Sequence, residues 1–150
     1  ASIKKVDLRM SSPGGDVFEG RAIANMMNDS RLNFDINIIA ECCSIATIIA
    51  MAGDSIHMSD GSVFLVHRCY TMAIGNSQEM KKLAQDLELI DQTMVQTYKK
   101  KTNMNEKDIL TRMDFVRLLY PRMEAMGVPF ICAMNGMALG GGLDIRAVSM

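Results

Sequence analysis

The sequence predicts an α/β domain built on a largely parallel sheet. Strand-like runs alternate with helical ones along the chain, and Pro and Gly clusters close several of them. A strand, a short turn of small residues and a helix follow one another twice, over residues 36–53 and 128–148. Parallel neighbours need a crossover between them, and a helix is the usual one. With 49% apolar and 22% charged residues in 150, the chain holds enough apolar material for one packed core and is not a disordered segment.

Residues 5–10 alternate weakly and predict a short strand, ended by Ser11-Ser12-Pro13-Gly14-Gly15. Over residues 16–28, Val17, Ala22, Ile23, Met26 and Met27 recur at helical intervals. Residues 34–40, with Ile36, Ile38 and Ile39, predict a second strand, and residues 44–52 an apolar helix stopped by Gly53. Short strands follow at 55–58 and 63–66, separated by an Asp60-Gly61 turn. Gly75-Asn76-Ser77 caps a long helix reaching about Lys101, whose Met80, Leu83, Leu87, Ile90, Met94 and Val95 form one apolar face. Residues 105–113 predict a further helix with Ile109, Leu110 and Met113 inward. Residues 115–126 predict a helix, 128–134 a strand and 143–148 a last helix.

Composition removes several function classes. Sixteen Lys and Arg against 17 Asp and Glu give a net charge of -1, with no basic stripe for a nucleic acid. The apolar stretch from Cys42 to Gly53 falls short of the roughly 20 residues a membrane span needs. No secretory signal pattern opens the chain, and a cytoplasmic protein is expected. Cys42, Cys43, Cys69 and Cys132 show no metal-ligand spacing, so they read as reduced thiols and no metal is expected. Fifteen Met are read as flexible core filling rather than a cofactor site. Lys99-Lys100-Lys101 reads as the solvated end of a helix.

Three places could carry chemistry. Ser44 stands where a strand ends and a buried helix begins, beside free backbone N–H groups that favour a developing negative charge. A bare hydroxyl needs a base, and His67, at the end of a later strand, could supply it; His57 lies within a strand pattern. A serine there is also a good N-cap, and a strand-end histidine is also a structural one, so both readings stay open. The Ser12-Pro13-Gly14-Gly15 turn either points backbone N–H groups into a cleft or is a tight surface turn. Gly140-Gly141-Gly142, opening a helix before Asp144, either approaches a ligand closely or packs a helix on a strand.

Taken in order, these segments resemble the ClpP family of serine peptidases, especially its phage prohead-protease branch. Ser12-Pro13-Gly14-Gly15-Asp16-Val17-Phe18-Glu19-Gly20 is similar to that branch's turn, and Ser44 through Ile49-Ala50-Met51-Ala52-Gly53-Asp54 to its nucleophile helix. Val66-His67 falls where the family's histidine falls. Gly75-Asn76, the long helix and Lys101-Thr102-Asn103-Met104-Asn105-Glu106 resemble its handle helix and the following turn. The resemblance implies Ser44 as nucleophile, His67 as general base, and an oxyanion hole from Gly14, Gly15 and the Ile45 N–H. It implies a peptide or protein substrate lying along the strand edge after the glycine turn. A homo-oligomeric ring, an unfoldase or phage-capsid partner, and no cofactor also follow from it.

The sequence departs from that family at two points within this span. Ala40-Glu41-Cys42-Cys43-Ser44 lacks the family's glycine before the nucleophile. The triad acid is expected near residue 116, where Val116 and Arg117 stand, and Asp114 is the nearest carboxylate. From residue 115 onward, Val128-Pro129-Phe130 and Asn135-Gly136 through Gly140-Gly141-Gly142-Leu143-Asp144 resemble the crotonase (enoyl-CoA hydratase) family. That implies an acyl-CoA site with Gly141 as oxyanion donor and Asp144 as acid/base. The expectation is therefore a ClpP/crotonase-type fold with repeated strand–turn–helix units. Residues 1–114 would be a peptidase core and 115–150 a crotonase-like segment packed in the same domain, as in a chimera. A ClpP-like serine endopeptidase is the leading function; an acyl-CoA enzyme or an inactive oligomeric scaffold are the alternatives.

Overall fold

The computed structural model describes residues 3–114. The elements expected over residues 115–126, 128–134 and 143–148 lie outside them, as do Gly141 and Asp144.

The chain forms β1 (Lys5–Ser12), α1 (Val17–Asp29), β2 (Asn33–Cys43), α2 (Ala46–Met51), β3 (Ser55–Met58), β4 (Val63–Leu65), α3 (Ser77–Lys101) and α4 (Glu106–Met113). All strand pairings are parallel, as the alternation of strands and helices predicts, and every one involves β2. β1 pairs along most of β2; β3 pairs with its first half and β4 with its last residues. The expected Asp60-Gly61 turn is present, with Gly61 at φ 75°, but it is not a hairpin: β3 and β4 each pair with β2.

Between Met10 and Ser12 the β1–β2 register shifts, because Met10 faces Ile38 while Ser12 faces Cys42. Two extra residues of β2, Ile39 and Ala40, are taken up there as an irregularity, and such bulges re-aim a strand end. The strand therefore runs three residues further than its apolar pattern suggested, to Cys43, directly before Ser44.

Two apolar clusters meet at α2. Ala46 and Ala50 pack with Ile36, Ile38, Cys42 and Met27 toward the sheet. Ile45 and Ile48 pack with Met94, Val95 and Tyr98 of α3 and with Ile109 and Met113 of α4. Burying side chains such as Ile36 and Ile38 contributes roughly 1.5–3 kcal/mol each. Only the second half of α3 enters this core; Met80, Leu83 and Leu87 are half-buried, whereas Met94, Val95 and Tyr98 are buried. Its start is fixed by a capping box, with Asn76 accepting from the amides of Gln78 and Glu79 while Glu79 accepts from the Asn76 amide.

Gly53 follows the apolar helix for a reason other than the expected left-handed stop. The last cap residue, Ala52, is right-handed at φ -79°, and a Cβ on Gly53 would come within 2.3 Å of Ile36 Cγ1. Close packing against the sheet, not backbone torsion, calls for glycine. Lys101, expected in the solvated run, donates from Nζ to the Gly53 carbonyl at 2.8 Å and ties the end of α3 to the same corner. Among the described residues no helix is long and apolar enough to cross a membrane.

Candidate active site

Ser44 is held on a sharp strand-to-helix junction. Its amide donates to the Leu65 carbonyl at 2.9 Å, so β4 fixes the backbone on one side. Its φ is 57°, the one left-handed torsion at a non-glycine residue among those described. Holding a serine there costs on the order of 1–3 kcal/mol, and such strain persists only where surrounding structure imposes it. The N-cap alternative fails: α2 begins at Ala46 after a right-handed Ile45, and no side chain caps it. Ser44 is half-buried at the cleft, and its hydroxyl bonds to no described group. The missing glycine of the approach is explained too, because the unusual torsion sits on the serine itself.

The first turn beyond Ser44 is braced from the core. Thr47 Oγ1 lies 2.5 Å from the Ser44 carbonyl and 2.6 Å from the Tyr98 hydroxyl. Burial pushes the Tyr98 phenol up to about 12, so it remains a neutral hydrogen-bonding group. Burial likewise pushes the Cys42 thiol up to about 12, and a neighbouring thiol, Cys43, is raised by burial and by Glu41. Both shifts disfavour the thiolate, the form a cysteine nucleophile requires.

Ser44, Ile45 and His67 line one cleft together with Pro13, Gly15, Val17, Cys69, Tyr70 and Met94. The sequence-expected nucleophile and base are thus brought together, while His57 is exposed on β3 in register with Asn37. The glycine turn forms one wall. Gly14 has φ 101°, and a Cβ there would lie 2.5 Å from Ser44 Cβ and 2.9 Å from the Cys43 carbonyl. Its own N–H donates to Ser12 Oγ at 3.2 Å, so this expected oxyanion donor is engaged within its turn. The amides of Gly15 and Ile45 have no acceptor among the described residues and lie at the cleft.

His67 Nδ1 is 2.6 Å from the carbonyl oxygen of Arg68, and the ring tilts against Tyr70 at 5.5 Å between centroids. Asp114, expected as the triad acid, closes α4 and holds the Arg68 guanidinium, with Nε to Oδ1 at 2.5 Å and Nη2 to Oδ2 at 3.0 Å. This contact is the main reason the Arg68 guanidinium is pushed further above its already high value. Arg68 Nη1 also reaches Asp91 Oδ2 at 3.3 Å, and Asp91 Oδ1 accepts from the Cys69 amide at 2.7 Å.

The sequence reading missed Asp91, Tyr70 and Cys69. For Asp91 a signal existed: an acid between Ile90 and Met94, on the apolar stripe of a long helix, asks for a buried partner. No group of His, Cys, Asp and Glu among the described residues could hold a metal ion. The acyl-CoA alternative rests on Gly141 and Asp144, outside the described residues.

Comparison with known proteins gives the family. The Clp protease family model matches residues 1–132, past the change of signature expected at 114. A curated ATP-dependent Clp protease proteolytic subunit from Leuconostoc citreum (strain KM20) is 30% identical over 78 residues, covering 51% of this chain. The matched stretch spans 39% of that relative's length. Neither match speaks for a phage branch or a crotonase segment. A family match of that extent places the chain in the Clp protease family.

Proposed function

We propose that the chain is a serine-type endopeptidase subunit with Ser44 as nucleophile and His67 as general base. The observation that carries it is the left-handed Ser44 at the end of β2, lining one cleft with His67 and the glycine turn. A tight turn that exposes a hydroxyl to an imidazole is what acyl transfer to serine requires.

In this reading an extended peptide lies beside the Pro13-Gly14-Gly15 turn with its carbonyl over Ser44. His67 Nε2 takes the Ser44 proton as Oγ attacks the carbonyl carbon, and the N–H groups of Gly15 and Ile45 receive the oxyanion. Collapse breaks the C–N bond, with the imidazolium protonating the leaving amine; water then repeats the sequence and frees Ser44. Asp114 contributes through its ion pair with Arg68, the residue after His67. No cofactor is required. A homo-oligomeric ring, fed a protein substrate by an unfoldase or from a phage capsid precursor, completes the proposal.

The test is hydrolysis of quenched fluorogenic peptides by the full chain and by Ser44→Ala. Loss of at least about 10³-fold in the variant, with unchanged thermal unfolding, is expected. Undiminished hydrolysis by folded Ser44→Ala would overturn the assignment.

A further inference from the structure

Regular structure ends just before the proposed base. β4 stops at Leu65, and no helix or strand resumes until Ser77, so His67 sits on an irregular segment. An imidazole that must take a proton at one nitrogen needs its tautomer and ring plane fixed from the other.

The fixing group is a single peptide unit. Its carbonyl, that of Arg68, faces His67 Nδ1 at 2.6 Å, and its N–H, that of Cys69, donates to Asp91 Oδ1 at 2.7 Å. A carbonyl oxygen only accepts, so Nδ1 carries the proton and Nε2 is left as the basic nitrogen. A carboxylate on the N–H end of a peptide polarises it and strengthens the carbonyl as an acceptor. Asp91 is the one charged residue among the buried described side chains, 6% exposed on the core-facing stripe of α3. A lone buried carboxylate is expensive. Its contacts are the Cys69 amide and the Arg68 guanidinium, both on the segment that carries His67.

We propose that Asp91 is a positioning residue for this chemistry: acting through the 68–69 peptide unit, it holds His67 in the Nδ1–H tautomer with Nε2 available to Ser44. This rests on the Ser44–His67 reading above. Among the described residues, the other charges placed against this segment are Arg68 and Asp114 of its own ion pair. Asp114 grips the guanidinium from α4, while Asp91 grips the backbone from α3.

Two measurements on the full chain test it. Nitrogen-15 imidazole spectra of the unmodified protein should show His67 as the Nδ1–H tautomer; an Nε2–H signature would overturn the proposal and needs no variant to fold. Fluorophosphonate labelling of Ser44 and the same imidazole spectra are then compared between the wild type, Asp91→Asn and Asp91→Ala. The asparagine keeps an oxygen for the Cys69 amide but removes the charge. Its labelling should slow roughly tenfold and its His67 signal should become a mixture of the two tautomers; the alanine should slow labelling roughly a hundredfold. A purely structural role would leave the Asn tautomer as it was, and a wild-type rate and tautomer in Asp91→Asn would overturn the proposal. Absence of labelling in the wild type would instead count against the Ser44–His67 reading, while the tautomer spectra of the wild type and the Asp91 variants would still decide the role of Asp91.

Discussion

Two neighbouring parallel strands end in turns that solve the same problem in opposite ways. β1 leaves the sheet through Pro13-Gly14-Gly15, where Gly14 at φ 101° takes a torsion that costs glycine little. β2 leaves through Ser44 at φ 57°, where a side chain is kept despite the strain. The first turn offers backbone alone and so approaches within van der Waals contact of its neighbour. The second keeps the one atom, Oγ, that a glycine could not supply. On the proposed function, strain is tolerated where a functional group must be displayed and removed where only backbone is needed.

The largest change in stability on this contrast should come from giving the β1 turn a side chain. Gly14→Ala sets a methyl 2.5 Å from Ser44 Cβ and leaves an L-residue at φ 101°. Peptide hydrolysis should fall by about 100-fold through displacement of the nucleophile, and stability by about 1–3 kcal/mol, read by denaturant titration.

Raising the pH should affect the β2 turn through the neutral groups beneath it. Cys42 and Tyr98 are both raised to about 12 from ordinary values of 9.0 and 10.0, chiefly by burial. The unfolded chain therefore releases these protons first. The stability they contribute as neutral groups is complete below about pH 9 and is lost as pH rises toward about 12. Thermal unfolding across that window should show a falling midpoint, which Tyr98→Phe should make shallower.

The smallest change in stability is the most diagnostic of strain. Ser44→Gly should abolish hydrolysis yet raise stability by about 1 kcal/mol, because glycine accepts the left-handed torsion. A loss of stability would show that the Ser44 side chain supports the turn rather than being held by it.

Much of the fold was legible because its determinants are local. Asn76 and Glu79 spell out a capping box, and Ile36 and Ile38 alternate as a half-buried strand must. Ser44, His67 and the glycine turn could be named as candidates from residue type and order along the chain, and they line one cleft. What stayed hidden depends on packing between distant segments. Gly53 reads as a helix stop and turns out to be a contact with Ile36, nearly a full strand–helix unit earlier. Gly14 reads as an oxyanion donor, yet its amide is bonded to Ser12 and its value lies in clearance for Ser44. The left-handed Ser44 has no mark in the sequence, and the partner of its amide, the Leu65 carbonyl, lies on a strand 21 residues away. Asp91 broke an apolar stripe visibly, but its partners, Arg68 and Cys69, are known only once α3 is packed against the segment after β4.

The most direct measurement of the central claim is the intact and peptide mass of the purified full chain after fluorophosphonate treatment, with Ser44→Ala alongside. It reads the nucleophile without depending on substrate preference. A single adduct on Ser44, absent from the variant, is the predicted result. No adduct on the folded wild type, or an adduct that persists in Ser44→Ala, would contradict it.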